Sequence, residues 1–273
     1  MLRLDLVHPV VSGNKFFKLY YFLEDALTSA SKTIISFGGA YSNHLAATAF
    51  ACHQLNIKCT GFVRGERPKE LSHTLQLCIQ HNMHLEFLDR ATYKNIHEKK
   101  FTHALFDKIG DPVLIPEGGF DARGMRGAKL IRNYIQPGKF TYICCAIGTA
   151  TTFAGLVDNN DDAIVMGFPV LKGLHDISSR IEKLSGSQKG TYTVIDDYHF
   201  GGYAKKNAVL IEFMNSFYAE HAIPLDFVYT GKMMYGVMDL VEKNYFREGS
   251  DILCIHTGGL QGNGSLPDGT LIF

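Results

Sequence analysis

The feature that most constrains the fold is a regular alternation of short β-branched or aromatic runs with stretches of helical periodicity. The runs fall at residues 34–37, 59–63, 85–88, 113–115, 142–145, 163–166, 193–195 and 252–255. Between most neighbours lies a helical pattern. In the segment 15–30, for example, Phe16, Leu19, Tyr20, Leu23 and Leu27 recur at helical spacing, with Glu24 and Asp25 turned elsewhere. Such β-α alternation predicts parallel sheets covered on both faces, with ligands gathered at the carboxyl ends of the strands. Candidate functional residues are therefore sought where a strand ends. With 273 residues, 46% of them apolar, the chain can fill one large α/β core or two smaller ones. No internal repeat or long linker divides it.

Composition removes several classes of function. The 27 basic and 27 acidic residues are interspersed, so neither a basic stripe for nucleic acid nor a cationic face for a membrane surface is present. No window approaches eighteen apolar residues, and residues 1–9 lack a basic leader followed by an apolar stretch, so a cytoplasmic location is expected. Cys52, Cys59, Cys78, Cys144, Cys145 and Cys254 lie mostly in apolar runs without CxxC spacing. They read as buried reduced thiols, and no metal site is expected.

Three strand-to-loop junctions are rich in small and polar residues. The first, 37–44, runs Phe-Gly-Gly-Ala-Tyr-Ser-Asn-His into a helical segment. Its glycines permit a tight turn, and Ser42 or Asn43 can cap the helix whose free N–H groups then face an anion. The second, 146–155, ends a strand in Gly148-Thr149-Ala150-Thr151-Thr152, a set of hydroxyls and backbone donors suited to one phosphate. Neither a GK[ST] sequence nor a GxGxxG spacing accompanies it, which argues against a nucleoside triphosphate or a dinucleotide. The third is His256-Thr257-Gly258-Gly259. A fourth element, Ser12-Gly13-Asn14-Lys15, puts a lysine in the first turn of a helix, where the helix dipole disfavours a cation and eases its deprotonation. A neutral amine is what a Schiff-base lysine must supply.

In this order the four elements resemble the family of 1-aminocyclopropane-1-carboxylate (ACC) deaminase and D-cysteine desulfhydrase, within the tryptophan-synthase-β-like enzymes that use pyridoxal 5'-phosphate (PLP). Ile115-Pro-Glu-Gly-Gly, Val228-Tyr-Thr-Gly-Lys-Met-Met-Tyr-Gly and His256-Thr-Gly-Gly extend the resemblance over nearly the whole chain. It implies an α/β fold of two lobes, each a mainly parallel twisted sheet flanked by helices. The larger lobe would combine residues 1–32 and 118–273, the smaller would span 33–117, and PLP would lie between them. A homodimer is also implied. Lys15 is similar to the lysine that carries the cofactor, and Lys18 to a partner of its phosphate. Asn43 would bond the 3'-oxygen, and Thr149, Ala150, Thr151 and Thr152 would cradle the phosphate, Ala150 standing where relatives often have glycine. Ser42, Asn43 and His44 would hold the substrate carboxylate, Ser42 also serving as a proton relay. Tyr203 and Tyr229 resemble two tyrosines that face the substrate, Tyr229 standing with Lys15 and Ser42 among the catalytic residues that the resemblance implies.

Two positions bear on specificity. ACC deaminases have glutamate at the position of Thr230, near the pyridine nitrogen, and leucine at the position of Thr257. A hydroxyl only hydrogen-bonds that nitrogen, whereas a carboxylate keeps it protonated and strengthens the electron sink. The threonine pair therefore points to β-elimination from a small amino acid, similar to D-cysteine desulfhydrase, with Lys15 taking the Cα proton and pyruvate, ammonia and sulfide released. The alternatives are ACC deaminase, a cysteate sulfo-lyase, a serine or threonine dehydratase, and an inactive PLP-binding protein. Only fourteen residues precede Lys15, so an N-terminal strand or helix of the larger lobe is expected to be missing. Phe16 is expected either to narrow the pocket or to face the core.

Overall fold

The computed structural model describes residues 1–158, 160–186 and 190–273. In chain order its elements are β1 (Leu2–Arg3), α1 (Asn14–Thr28), β2 (Thr33–Gly38), α2 (Asn43–Gln54), β3 (Lys58–Arg64), α3 (His73–Gln80), β4 (His84–Leu88), α4 (Arg90–Lys94) and α5 (Lys99–Ile109). There follow β5 (Val113–Ile115), α6 (Ala122–Lys129), β6 (Tyr142–Ile147), α7 (Thr151–Val157), β7 (Asn160–Pro169), α8 (Ile177–Ser185), β8 (Gly190–Val194), α9 (Ala208–His221), α10 (Thr230–Glu242) and β9 (Ile252–His256). All eight expected runs form strands.

The strands assemble into two sheets, one ordered β4-β3-β2-β5 and the other β1-β9-β6-β7-β8, and every pairing is parallel. Parallel pairing follows from the helical crossovers, and helices on both faces explain why β2 is buried at every residue and β6 at all but its first. Each sheet has its own apolar core on either face. Ile34, Leu45, Val63 and Ile115 line one side of the smaller sheet, and Ile35, Phe37, Phe62 and Tyr93 the other. Ile143, Ile147, Phe153 and Val165 lie to one side of the larger sheet, and Cys144, Met166, Phe168 and Met233 to the opposite side. Among the described residues no helix is long and apolar enough to cross a membrane. All six cysteines are buried and free, as the sequence suggests.

Two expectations change. Residues 2–3 do form a strand, a two-residue parallel edge on β9, fixed where the Gly13 N–H donates to the Leu4 carbonyl (2.9 Å). The buried face of α1 also differs: it carries Asn14, Phe17, Lys18, Leu19, Phe22 and Ala26, while Phe16, Tyr20 and Leu27 are exposed. Phe16 thus does not face the core. An aromatic-rich helix is apolar on nearly all sides, so periodicity alone could not choose the side that packs on α2 and α6.

Candidate active site

Parallel packing brings the carboxyl ends of β2, β6 and β9 toward the amino end of α1. The turn before α1 depends on Gly13, which has φ +68° and lies so close to Thr257 that a Cβ would sit 1.9 Å from that carbonyl oxygen. Directly after it, the Asn14 N–H donates to the same Thr257 carbonyl (3.1 Å). The Asn14 side chain bridges the site, Nδ2 donating to Thr152 Oγ1 (2.8 Å) and Oδ1 accepting from Lys15 Nζ (2.8 Å). Lys15 is thereby aimed by a buried amide that the sequence reading did not single out. Its Nζ lies 5.7 Å from the centre of the Tyr229 ring.

Burial lowers the Lys15 pKa to about 8, opposed by the negative charge of Asp226 and by Cys145. Desolvation is the main cause, acting in the same direction as the helix dipole. Lys18, one turn along and 4% exposed, is pushed down to about 7 by burial and then by the neighbouring charge of Lys15. Among the described residues its amine has no hydrogen-bond or ion-pair partner. Cys145 cannot act as a counter-anion, because burial holds its thiol up at about 12. Two neighbouring amines, of which only Lys15 feels the carboxylate of Asp226, form a site that favours a further anion.

The loop after β2 and the start of α2 supply the facing wall. Ser42 caps α2, its Oγ accepting the Leu45 N–H (3.2 Å), so its own proton stays available. Asn43 Nδ2 reaches across to the Gly259 carbonyl (3.2 Å), whereas its Oδ1 is buried without a partner. His44 is almost fully buried beneath this loop. Its Nε2 lies 3.1 Å from Ser36 Oγ, whose single proton goes to the Ile115 carbonyl (3.0 Å). Nε2 must therefore carry the His44 proton, leaving Nδ1 as a bare, unpartnered acceptor. Burial and the charges of Lys18 and Lys15 hold this imidazole neutral, well below its ordinary pKa. Gly119 lies against both Lys18 and His44.

In the 148–152 loop, Ala150 adopts φ +70°, the left-handed conformation that explains why glycine suits this position. Thr149 Oγ1 and Thr151 Oγ1 are 2.9 Å apart, and Thr152 accepts from Asn14. Tyr229 packs over Gly148, and its hydroxyl donates to that of Tyr203 (3.4 Å). Burial, then Tyr203, raises the Tyr229 phenol well above its ordinary pKa, so it stays protonated.

Thr230 does not open onto the site. It is fully buried, its hydroxyl donating to Asp226 Oδ2 (2.6 Å) and accepting the Asp226 N–H (2.8 Å). Asp226, also unrecognised from sequence, further accepts the N–H groups of Val228 (3.0 Å), Tyr229 (2.7 Å) and Thr230 (2.9 Å). An acid four residues before the first residue of α10 is the signal that could have revealed this bracing of the helix start. For Thr257, by contrast, no side-chain hydrogen bond among the described residues competes for its hydroxyl.

The residues fit PLP on three observations: the unpartnered Asn43 Oδ1, the Lys18 amine that stands beside Lys15 without a partner among the described residues, and the hydroxyl-lined turn after β6. A family model described as pyridoxal-phosphate dependent enzyme matches residues 1–258. The chain belongs to this PLP-dependent enzyme family. A Thermotoga maritima protein provisionally named a 1-aminocyclopropane-1-carboxylate deaminase is 30% identical over 286 residues, covering 95% of this chain and 88% of its own length. The D-cysteine desulfhydrase of Salmonella choleraesuis is 26% identical, covering 94% and 86% respectively. The crystal structure of an ACC deaminase homologue superposes with a TM-score of 0.79 at 28% identity, over 96% of this chain and 84% of that one. PLP is therefore the cofactor of this enzyme family member, and its relatives carry the names of two activities.

Proposed function

We propose that the protein is a PLP-dependent lyase that eliminates a β-substituent from a small amino acid, in the manner of D-cysteine desulfhydrase. D-Cysteine and water would give pyruvate, ammonia and hydrogen sulfide. The observation that carries this reading is the pair Thr230 and Thr257, neither of which brings a carboxylate to the pyridine nitrogen. A thiolate leaves readily, so elimination needs less of the electron sink than opening a cyclopropane ring does.

When bound, PLP supplies a conjugated ring that accepts charge from the substrate Cα. The protein's part is orientation, anion binding and proton transfer. Lys18, Thr149, Ala150, Thr151 and Thr152 would hold the phosphate, Asn43 would bond the 3'-oxygen and Thr257 would serve the ring nitrogen. Ser42 and Asn43 receive the substrate carboxylate, which the proton-bearing Ser42 hydroxyl suits; His44, assigned to the same group by resemblance, gives its Nε2 proton to Ser36 and offers only a bare Nδ1, so it supports the loop from beneath and does not bind the carboxylate. Tyr203 and Tyr229 close the opposite side. Lys15 Nζ takes the Cα proton, and its pKa of about 8 keeps an appreciable neutral fraction near physiological pH. The lobes are assigned to residues 1–32 with 118–273 and to 33–117, and the enzyme works in the cytoplasm as a homodimer, the assembly resting on family resemblance.

ACC deaminase is the second reading, favoured by the name of the Thermotoga maritima relative. The test is the visible spectrum of the PLP-loaded protein beside that of Lys15→Ala, followed by D-cysteine, L-cysteate and ACC in turn. A cofactor band that requires Lys15, with sulfide and pyruvate from D-cysteine, supports the proposal. Release of 2-oxobutanoate from ACC with no sulfide from D-cysteine replaces it with the second reading. A band indifferent to Lys15 removes both.

A further inference from the structure

The segment between β8 and α9 has a backbone that would not hold its shape unaided. Phe200, Gly201, Gly202 and Ala204 all have positive φ (52°, 88°, 118° and 53°), and Tyr203 projects from the middle of this run. Left-handed geometry costs a non-glycine residue about 1–2 kcal/mol, so Phe200 and Ala204 oppose the turn they occupy. What retains it is a side chain that the proposed chemistry does not use. Lys232, in the first turn of α10, is 1% exposed, and its Nζ donates to the carbonyls of His199 (2.9 Å) and Gly202 (2.7 Å). The same carbonyls accept the N–H groups of Gly202 (3.0 Å) and Lys205 (3.1 Å), so the amine sits at the crossing of the turn's own hydrogen bonds.

Further contacts fasten the segment to the same helix. The Tyr198 hydroxyl donates to Asp239, and Phe200 packs edge-on against Tyr235 with ring centres 5.0 Å apart. These two hold the outer part of the turn, whereas Lys232 holds the carbonyl immediately before Tyr203. Tyr229, three residues before Lys232 in the chain, meets Tyr203 through its hydroxyl and lies over Gly148. One helix end thus sets both tyrosines: Asp226 fixes Tyr229 through its backbone N–H, and Lys232 fixes Tyr203 through the turn.

We propose that Lys232 is a positioning residue for the substrate pocket, clamping the 199–202 turn so that Tyr203 stands against Tyr229 beside Lys15. A lysine suits the position because one ammonium can donate to two carbonyls at once, and buried charge-assisted bonds are stronger than neutral ones. Burial holds its pKa down at about 8, with Asp226 opposing, and the neutral amine still has two protons to donate. The substrate role of Tyr203 rests on the function proposed above, whereas the clamping of the turn does not.

The experiment compares wild type, Lys232→Met and Lys232→Gln as PLP-loaded proteins, by amide hydrogen exchange and by kinetics with D-cysteine or whichever amino acid the wild type consumes. Losing the charge-assisted pair is expected to speed exchange at residues 199–205 about tenfold, and to raise KM about tenfold with a smaller change in kcat. The Lys15-dependent cofactor spectrum stays unchanged, and Lys232→Gln, which retains donors, recovers part of the loss. Tyr203→Phe is expected to weaken the wild type severalfold and Lys232→Met hardly at all. Unchanged exchange at 199–205, or effects of the two substitutions that simply multiply, overturns the proposal. A wild type that consumes no amino acid sinks the functional reading alone, since the exchange data still decide whether Lys232 holds the turn. If Lys232→Met does not fold, Gly202→Ala loosens the same turn by straining a φ of 118° and carries the same expectations.

Discussion

Replacing Lys18 with methionine should stabilise the cofactor-free protein while abolishing its response to phosphate. The lysine is 4% exposed, its amine has no partner among the described residues, and its pKa falls from 10.5 to about 7. A base with a depressed folded-state pKa binds more protons when unfolded, so its contribution to stability rises with pH between about 7 and 10.5. The slope in that window approaches ~1.4 kcal/mol per pH unit for one group. Between pH 7 and 8.5 the wild type should therefore gain roughly 1–2 kcal/mol relative to K18M. The comparison must be between proteins, because unfolding also exposes six buried cysteines. The thiols of Cys52, Cys78 and Cys144, held protonated in the fold by neighbouring cysteines and burial, ionise more readily in the unfolded chain, which lowers stability as pH rises, and this contribution is common to both proteins. Urea denaturation of the apo proteins at pH 7.0, 7.75 and 8.5 gives the difference directly. K18M should be the more stable at pH 7, with the gap closing as pH rises. Inorganic phosphate should stabilise wild type at pH 7 and leave K18M unmoved. Parallel pH profiles, or equal stabilisation by phosphate, would refute the reading of Lys18 as an uncompensated buried cation awaiting an anion.

Two substitutions test the backbone around the site. Gly13→Ala places a methyl group on the Thr257 carbonyl at a positive φ, so α1 must move: the cofactor spectrum should be lost or shifted and stability should fall by about 2 kcal/mol or more, measured by absorbance and urea denaturation. Ala150→Gly relieves a left-handed residue, at the expense of a freer unfolded chain, and should change stability by less than about 1 kcal/mol while leaving PLP affinity intact; a large loss of affinity in fluorescence titration would show that the Ala150 methyl itself supports the cradle.

The sheet architecture was legible because each strand is a short apolar run bounded by turn residues, and parallel pairing follows once helices separate those runs. The sequence also marked Asn43 and the 148–152 loop through the small residues at strand ends, and Lys15 through its place in the first turn of a helix and the family resemblance. The face of α1 was hidden by its own composition, since Phe16 and Tyr20 are as apolar as the buried Phe17 and Phe22. β1 escaped because two residues carry no periodicity, and its existence depends on pairing with a strand some 250 positions away. Asn14 and Lys232 escaped for a related reason. Their importance lies in a Thr152 hydroxyl and two carbonyls that only the folded chain brings within reach.

Thr230 shows how a residue can be marked correctly as distinctive while its physical role differs from the one inferred. Read beside a glutamate in relatives, it looks like a hydrogen bond to the pyridine nitrogen. In the fold its hydroxyl proton is committed to Asp226 Oδ2, and the hydroxyl oxygen takes the Asp226 N–H. The same carboxylate receives the Tyr229 N–H on its other oxygen. Position 230 therefore bears on the site through the Asp226 brace, which orients Tyr229 over Gly148. Of the two threonines, Thr257 is left as the one whose hydroxyl is uncommitted in the described structure. A difference between β-elimination and ring opening would then arise partly from how the start of α10 is tied down, and only partly from the group at the nitrogen.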